Sequence, residues 1–157
     1  YIGIIYLYTI FTKNGGFKML KILLCCGGGF SSSALVSRLK KEIIENNMDN
    51  EYSIEYSPFL LAKDKTSEFD VIVCCPHLIM SVNNLIKDYN PDIPIYILPP
   101  RMYGLIKAKE VVQDAQDVID IYKKTKINPV HFPGEEKALK ITRSIAYRNA
   151  YPTYTVS

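Results

Sequence analysis

The chain has 157 residues, of which 48% are apolar or aromatic and 22% are charged, a composition that fits one folded domain and excludes a disordered or collagen-like chain. Its 19 Lys and Arg residues against 16 Asp and Glu residues leave a net charge of only +3, too small a surplus to indicate a nucleic-acid-binding protein. The four Cys residues form two adjacent pairs, and only two His residues are present. Adjacent strand residues point to opposite faces, so neither Cys pair can bind one metal ion, and no metal site is expected. No cofactor is expected either.

The first predicted unit is an N-terminal extension, residues 1–18. Its uncharged apolar run, residues 1–11, is shorter than the about 20 residues that a membrane span needs. It also lacks the basic start and the cleavage site of a signal peptide. Met19 directly precedes a strong strand pattern. We therefore expect the extension to lie outside the core and the chain not to span a membrane.

From Met19 onward, strand and helix patterns alternate. Strands are predicted over residues 20–25, 51–57, 70–74 and 93–98, and helices over residues 31–47, 78–89 and 110–122. The serines at the start of the first helix offer N-cap hydroxyl groups. Strands joined through helices imply right-handed crossovers and a parallel sheet. The sequence thus predicts a small doubly wound α/β domain over residues 19–126.

After Lys126 the alternation stops. Prolines interrupt residues 127–157, and the one helical candidate in this tail covers residues 135–147. We expect the tail either to lie across the domain or to reach toward a partner.

The loop after the first strand carries the strongest chemical signal. It begins with a thiol, continues through a glycine run and ends in hydroxyl groups at a helix start; its residues are Cys26, Gly27, Gly28, Gly29, Phe30, Ser31, Ser32 and Ser33. Inward-turned backbone N–H groups and the positive end of a helix favour an anion there. The same field favours the thiolate, which makes Cys26 a candidate phosphoryl acceptor. A small buried side chain is the alternative role for this cysteine.

Comparison with known phosphate-binding loops narrows the reaction. Neither GxxxxGK[ST] nor GxGxxG occurs in the chain. Low-molecular-weight tyrosine phosphatases have a Cys, five residues, an Arg and then Ser or Thr, but Ser32 stands at the Arg position, so the bidentate clamp is missing. Their late-loop Asp has no counterpart, because residues 99–104 contain no carboxylate. These differences favour phosphoryl transfer over hydrolysis.

The chain resembles the enzyme IIB components of the lactose/cellobiose type in the bacterial sugar phosphotransferase system. The resemblance rests on the strand and Cys loop over residues 19–36, on residues 70–73 with the loop containing Pro76, and on Tyr103-Gly104 after the fourth strand. It covers residues 19–124, most of the chain.

This resemblance implies a four-stranded parallel sheet of order 2-1-3-4 flanked by helices, similar to the fold of the low-molecular-weight tyrosine phosphatases. It implies that Cys26 takes a phosphoryl group from a phosphohistidine on the IIA component. The group then passes to a sugar of the lactose, cellobiose or chitobiose type held by the membrane IIC component. Residues 27–33 would form the phosphate cradle. The protein would be cytoplasmic and peripherally associated with the membrane transporter.

Other loop residues are candidate contacts of the site or of a partner; these are Pro76, His77, Tyr103 and Gly104. For His77 the pattern favours a solvent-facing or capping role over contact with a phosphate. With strands one and three as neighbours, Cys75 could approach Cys26 and form a redox pair. A phosphatase, a thiol reductase and a non-catalytic regulatory domain therefore stay open as alternatives, whereas Cys25 and Cys74 are expected in the core.

Overall fold

A computed structural model describes residues 18–26 and 30–156 of the chain. Residues 1–17 of the predicted extension over residues 1–18 lie outside these ranges, as does the predicted loop Gly27, Gly28 and Gly29. Four parallel strands form one sheet in the order β2-β1-β3-β4; they are β1 (Leu20–Cys26), β2 (Tyr52–Pro58), β3 (Val71–Cys74) and β4 (Ile95–Ile97). The predicted α/β fold and its strand order 2-1-3-4 are confirmed.

Helices connect and follow the strands. The α-helices are α1 (Phe30–Glu45), α2 (Ile79–Asp88), α3 (Pro100–Leu105), α4 (Ala108–Thr125) and α5 (Tyr147–Ala150), and 3-10 turns cover Phe59–Lys65, Pro76–Leu78 and Ala138–Lys140. The helix α1 begins at Phe30, so the backbone of Ser31, Ser32 and Ser33 forms its first turn, whereas the sequence predicted these serines as N-cap residues. The helix α3 was not predicted. It begins with Pro100, and proline is favoured in the first turn of a helix.

The strand β1 divides the core into two halves because its side chains alternate between the faces of the sheet. Ile22 and Leu24 pack in the cluster that includes residues of α1 and α4. Leu23 and Cys25 pack in the opposite cluster, which includes residues of β3 and α2. The sheet is therefore covered on both faces, which is why β3 and the part of β1 after Lys21 are continuous apolar runs.

The C-terminal segment, residues 127–156, lies across the domain. Val130 forms an isolated parallel bridge with Tyr96 of β4. Phe132 is fully buried and stacks on Tyr147 with ring centroids 4.5 Å apart. Of the two placements that the sequence left open for this tail, the structure has the packed one.

The predicted helix over residues 135–147 is wrong. Only the 3-10 turn Ala138–Lys140 and the start of α5 are helical in this stretch. The guanidinium of Arg143 instead reaches into the protein, where it lies 2.8 Å from an oxygen of Asp114 and 2.7 Å from one of Glu135. A buried charge without a partner is costly, so the carboxylates of Asp114 and Glu135 require the guanidinium of Arg143. The ion pair therefore outweighs the helical propensity of the segment.

None of the helices in the described ranges combines the length and apolar character that crossing a membrane requires.

Candidate functional site

Cys26 is the last residue of β1, at the carboxyl edge of the parallel sheet. It pairs in register with Pro58 of β2, and β1 itself runs between β2 and β3. In doubly wound sheets this edge is where binding sites form. The residue is 5% exposed, and α1 begins at Phe30, shortly after it in the chain. The thiol is therefore largely shielded and follows a central strand.

His77 lies beside this thiol. The ring nitrogen Nε2 is 3.2 Å from Cys26 Sγ, within hydrogen-bond distance for sulfur. The sequence pattern favoured a solvent-facing or capping role for His77. The residue is indeed exposed, and its ring also contacts the thiol. The reason is the strand order: β3 neighbours β1, so the turn that follows β3 meets the end of β1.

The turn that carries His77 is held in place by its backbone. The Cys75 N–H donates a hydrogen bond of 3.1 Å to the Cys25 carbonyl, which ties the chain after β3 to β1. Pro76 follows at the first position of the 3-10 turn and is buried, and its fixed φ favours that start. Pro76 thus contributes to the site by shaping the turn.

Tyr103 on α3 provides the third side chain of the site. Its hydroxyl oxygen is 3.9 Å from Cys26 Sγ, and its ring meets the His77 ring edge-on, with centroids 6.3 Å apart and planes inclined by 65°. Gly104 is exposed, and a Cβ at its position would meet no atom within 4 Å. The structure therefore brings Cys26, His77 and Tyr103 together, whereas Gly104 makes no packing contact that requires a glycine.

Two charged residues on α1 hold the segment between α3 and α4, and the sequence reasoning missed them because they stand outside the apolar face. Arg38 Nη2 donates a 2.5 Å hydrogen bond to the Ile106 carbonyl. The Ala108 N–H, at the start of α4, donates a 2.6 Å hydrogen bond to Glu42 Oε2. A carboxylate is favourable at a helix start. The pair positions the end of α3 relative to α1.

The remaining predicted cradle residues lie at the start of α1. The backbone of Phe30, Ser31, Ser32 and Ser33 forms its first turn, where N–H groups have no partner within the helix and the helix dipole is positive. The structure does not describe the side chains of residues 30–33, nor the residues Gly27, Gly28 and Gly29. An anion-favouring helix end therefore follows Cys26 closely in the chain.

The other three cysteines have a different environment. Cys25, Cys74 and Cys75 have no exposed surface, and none of the four cysteines forms a disulfide. Cys25 and Cys74 pack in the core as predicted, and burial raises the pKa of the Cys25 thiol to about 12. Within residues 18–26 and 30–156, no group of three or more His, Cys, Asp or Glu is placed to hold a metal ion.

Comparison with known protein families identifies the domain. The family model described as "PTS system, Lactose/Cellobiose specific IIB subunit" matches residues 21–114. The chain belongs to this family. As a IIB subunit it is a component of a sugar phosphotransferase system. The matched range contains Cys26, His77 and Tyr103 and ends before the C-terminal segment.

Solved structures of IIB components are similar to this chain. The cellobiose-specific phosphotransferase IIB component protein from Borrelia burgdorferi is 28% identical, with a TM-score of 0.54, and the match covers 67% of this chain and 95% of that one. The lactose-specific IIB component domain from Streptococcus pneumoniae is 14% identical, with a TM-score of 0.46, over 64% of this chain and 98% of that one. No curated protein matches the chain.

Proposed function

We propose that this IIB subunit carries a phosphoryl group on the Sγ atom of Cys26. The group comes from a phosphohistidine of the IIA component and goes to a sugar of the lactose, cellobiose or chitobiose type on the membrane IIC component. The observation that carries the proposal is the position of Cys26, which ends a central strand at the carboxyl edge of the sheet, beside His77 and shortly before the N-terminus of α1.

The surroundings of the thiol suit a transferred phosphoryl group. Phosphoryl transfer depends mainly on the positioning of the reacting groups and on stabilisation of the charge on the phosphoryl oxygens. The first-turn N–H groups of α1 and its dipole supply such stabilisation without a cationic side chain. This agrees with a chain whose net charge is only +3. In this proposal, residues 27–33 form the cradle and the protein works at the cytoplasmic side of the transporter.

The site is poorly equipped for hydrolysis. The position at which a low-molecular-weight phosphatase loop has its Arg is Ser32, and α3, which carries Tyr103, contains no carboxylate to serve as general acid. A phosphocysteine formed here would therefore persist until a second acceptor arrives. A carrier fits these residues better than a phosphatase.

The test is transfer of labelled phosphate from phosphorylated IIA. We expect the wild-type chain to take up label on a thiol. Treatment with acid distinguishes this label from a phosphohistidine. The variant Cys26→Ala should lose all label, because its side chain has no acceptor atom. The matched control Cys25→Ala removes the neighbouring core thiol and should retain the label.

Three results would contradict the proposal. They are absence of label on the wild-type chain, label that persists in Cys26→Ala, and steady release of phosphate from an aryl phosphate, which would favour the phosphatase. A disulfide between Cys26 and Cys75 that cycles with a thiol reductant, without any label, would favour the reductase.

A further inference from the structure

The contact between His77 and Cys26 brings a titratable nitrogen to the reacting atom. The distance from Nε2 to Sγ is 3.2 Å, which suits a hydrogen bond that involves sulfur. The backbone bond from Cys75 N–H to the Cys25 carbonyl and the buried Pro76 hold the turn that carries His77. The His77 ring also meets the Tyr103 ring in an edge-on arrangement. The imidazole is thus oriented toward the thiol by three separate contacts.

Transfer of a phosphoryl group from nitrogen to a thiol requires that a proton also move. The thiol must lose its proton, since the thiolate is the nucleophile. The departing imidazole nitrogen of the donor must gain one. A base within hydrogen-bond reach of the sulfur and near the donor's nitrogen can serve both needs.

The described groups that lie around His77 and the thiol are less suited to act as the base. From α3, the Tyr103 hydroxyl lies 3.9 Å from the sulfur, and a phenol oxygen is a much weaker base than an imidazole nitrogen. In the 3-10 turn after β2, the charge of Lys65 acts on the thiol of Cys25, whose pKa it lowers. On α1, Arg38 and Glu42 bond to Ile106 and Ala108. In the part of the chain that the structure describes, no carboxylate lies within 4.0 Å of a His77 ring nitrogen.

We propose that His77 is a catalytic residue of this IIB subunit, which accepts the Cys26 thiol proton and returns it to the departing nitrogen of the phosphoryl donor. The inference rests on the proposed function of Cys26. Neutral His77, with its proton on Nδ1, accepts the thiol proton at Nε2. The Sγ–P bond then forms and the P–N bond breaks, with its electron pair remaining on the donor's nitrogen. That nitrogen takes the proton from His77, which restores the neutral ring.

The second half of the cycle uses the same nitrogen in reverse. A sugar hydroxyl loses its proton to His77 as its oxygen attacks phosphorus. The O–P bond forms, the S–P bond breaks, and the sulfur leaves with the electron pair. Transfer of the proton from His77 to the sulfur regenerates the thiol. No other co-reactant is needed.

Ionisation of the thiol tests this role without any partner protein. The rate of alkylation of Cys26 by iodoacetamide, measured from pH 5.5 to 9.5, follows the thiolate fraction. In His77→Gln the side chain keeps hydrogen-bonding groups but cannot hold the proton. We expect its pH profile to move up by about one pH unit, so that the alkylation rate at pH 6.5 falls about tenfold. The difference should vanish at high pH, where the thiol ionises unaided.

The second histidine of the chain provides the matched control. His131 is exposed in the C-terminal segment, and its Nδ1 lies 3.1 Å from the carbonyl oxygen of Phe132, the next residue. The variant His131→Gln should keep the wild-type profile. Identical profiles for the wild-type chain and His77→Gln would overturn the proposal, as would an equal shift in His131→Gln.

Phosphoryl transfer separates this inference from the proposed function. With phosphorylated IIA as donor, His77→Gln should still take up label on Cys26, but about tenfold more slowly at pH 6.5. Equal labelling rates across the pH range would overturn the role of His77 and leave the carrier function intact. If the wild-type chain takes up no label, the proposed function fails, and with it the proton transfer that depends on it.

Discussion

Two adjacent cysteines in β1 have opposite environments. Cys25 faces the core on the side of α2, where it has no exposed surface and where burial raises the pKa of its thiol to about 12. Cys26, the next residue, ends the strand beside His77. Because successive strand side chains point to opposite faces, one thiol becomes part of the core and the other part of the site.

This difference predicts selective alkylation of the native protein. Treated with iodoacetamide near pH 7.5, the folded chain should be modified at Cys26 alone. The thiols of Cys25, Cys74 and Cys75 have no exposed surface, and burial holds the pKa of Cys74, like that of Cys25, well above its usual value. Peptide mass mapping identifies the modified residue.

Denaturation supplies the control for this experiment. In strong denaturant all four thiols should react, because burial no longer protects them. If Cys25 or Cys74 were modified before Cys26 in the native protein, the placement of these residues in the core would be contradicted.

At the scale of secondary-structure elements, the C-terminal segment is joined to the helix α4 by a buried polar cluster. Asp114 on α4 has no exposed surface and accepts hydrogen bonds from Arg143, from the Tyr96 hydroxyl and from the Tyr147 N–H, at 2.8, 2.7 and 2.8 Å. Arg143 also bonds both oxygens of Glu135. These bonds satisfy the buried charges and connect α4, β4 and the segment in one network.

Removing Arg143 from this network should destabilise the fold strongly. In Arg143→Met the carboxylate of Asp114 stays buried without its cation, and we expect the free energy of unfolding to fall by about 3–5 kcal/mol. The exposed residue Lys137 on the same segment offers a matched control, because Lys137→Met should change stability by less than about 0.5 kcal/mol. Urea denaturation followed by circular dichroism measures both. Equal effects of the two substitutions would contradict a structural role of the ion pair.

At the scale of the whole molecule, the core extends beyond the range of the family match. The family model matches residues 21–114, whereas Val130, Phe132 and Tyr147 are buried in the same cluster as α1, β1 and α4. Phe132 has no exposed surface and touches the rings of Tyr96 and Tyr154 as well as Tyr147. The C-terminal segment is thus a structural part of this IIB domain.

A chain that ends at residue 126 should therefore be much less stable than the full chain. It loses the burial of two aromatic side chains, each worth about 1.5–3 kcal/mol, and exposes the apolar surface of α4 and β4 that they cover. We expect the free energy of unfolding to drop by at least about 4 kcal/mol. Thermal unfolding followed by circular dichroism measures the change. A truncated chain with unchanged Tm would contradict this role of the segment.

Local patterns were sufficient for most of the elements. Apolar runs bounded by Gly, Pro or Asn predicted β1 to β4 within a few residues, and the period of apolar residues predicted α1, α2 and α4. The helix predicted over residues 135–147 failed because Arg143, which looks solvent-exposed in a helical pattern, is used in a buried ion pair. The short helix α3 was missed because the segment after β4 was interpreted as a loop.

The composition of the Cys26 loop pointed to the thiol and to a nearby helix end, because both lie next to each other in the chain. The contact of Cys26 with His77 joins residues 51 positions apart, and that with Tyr103 joins residues 77 positions apart. Such contacts depend on which strands are neighbours and on how the following turns are held, and no periodicity in the chain carries that information. The candidate acceptor thiol could therefore be predicted from local sequence, whereas the side chains around it were decided by the packing of β1 against β3 and by the placement of α3.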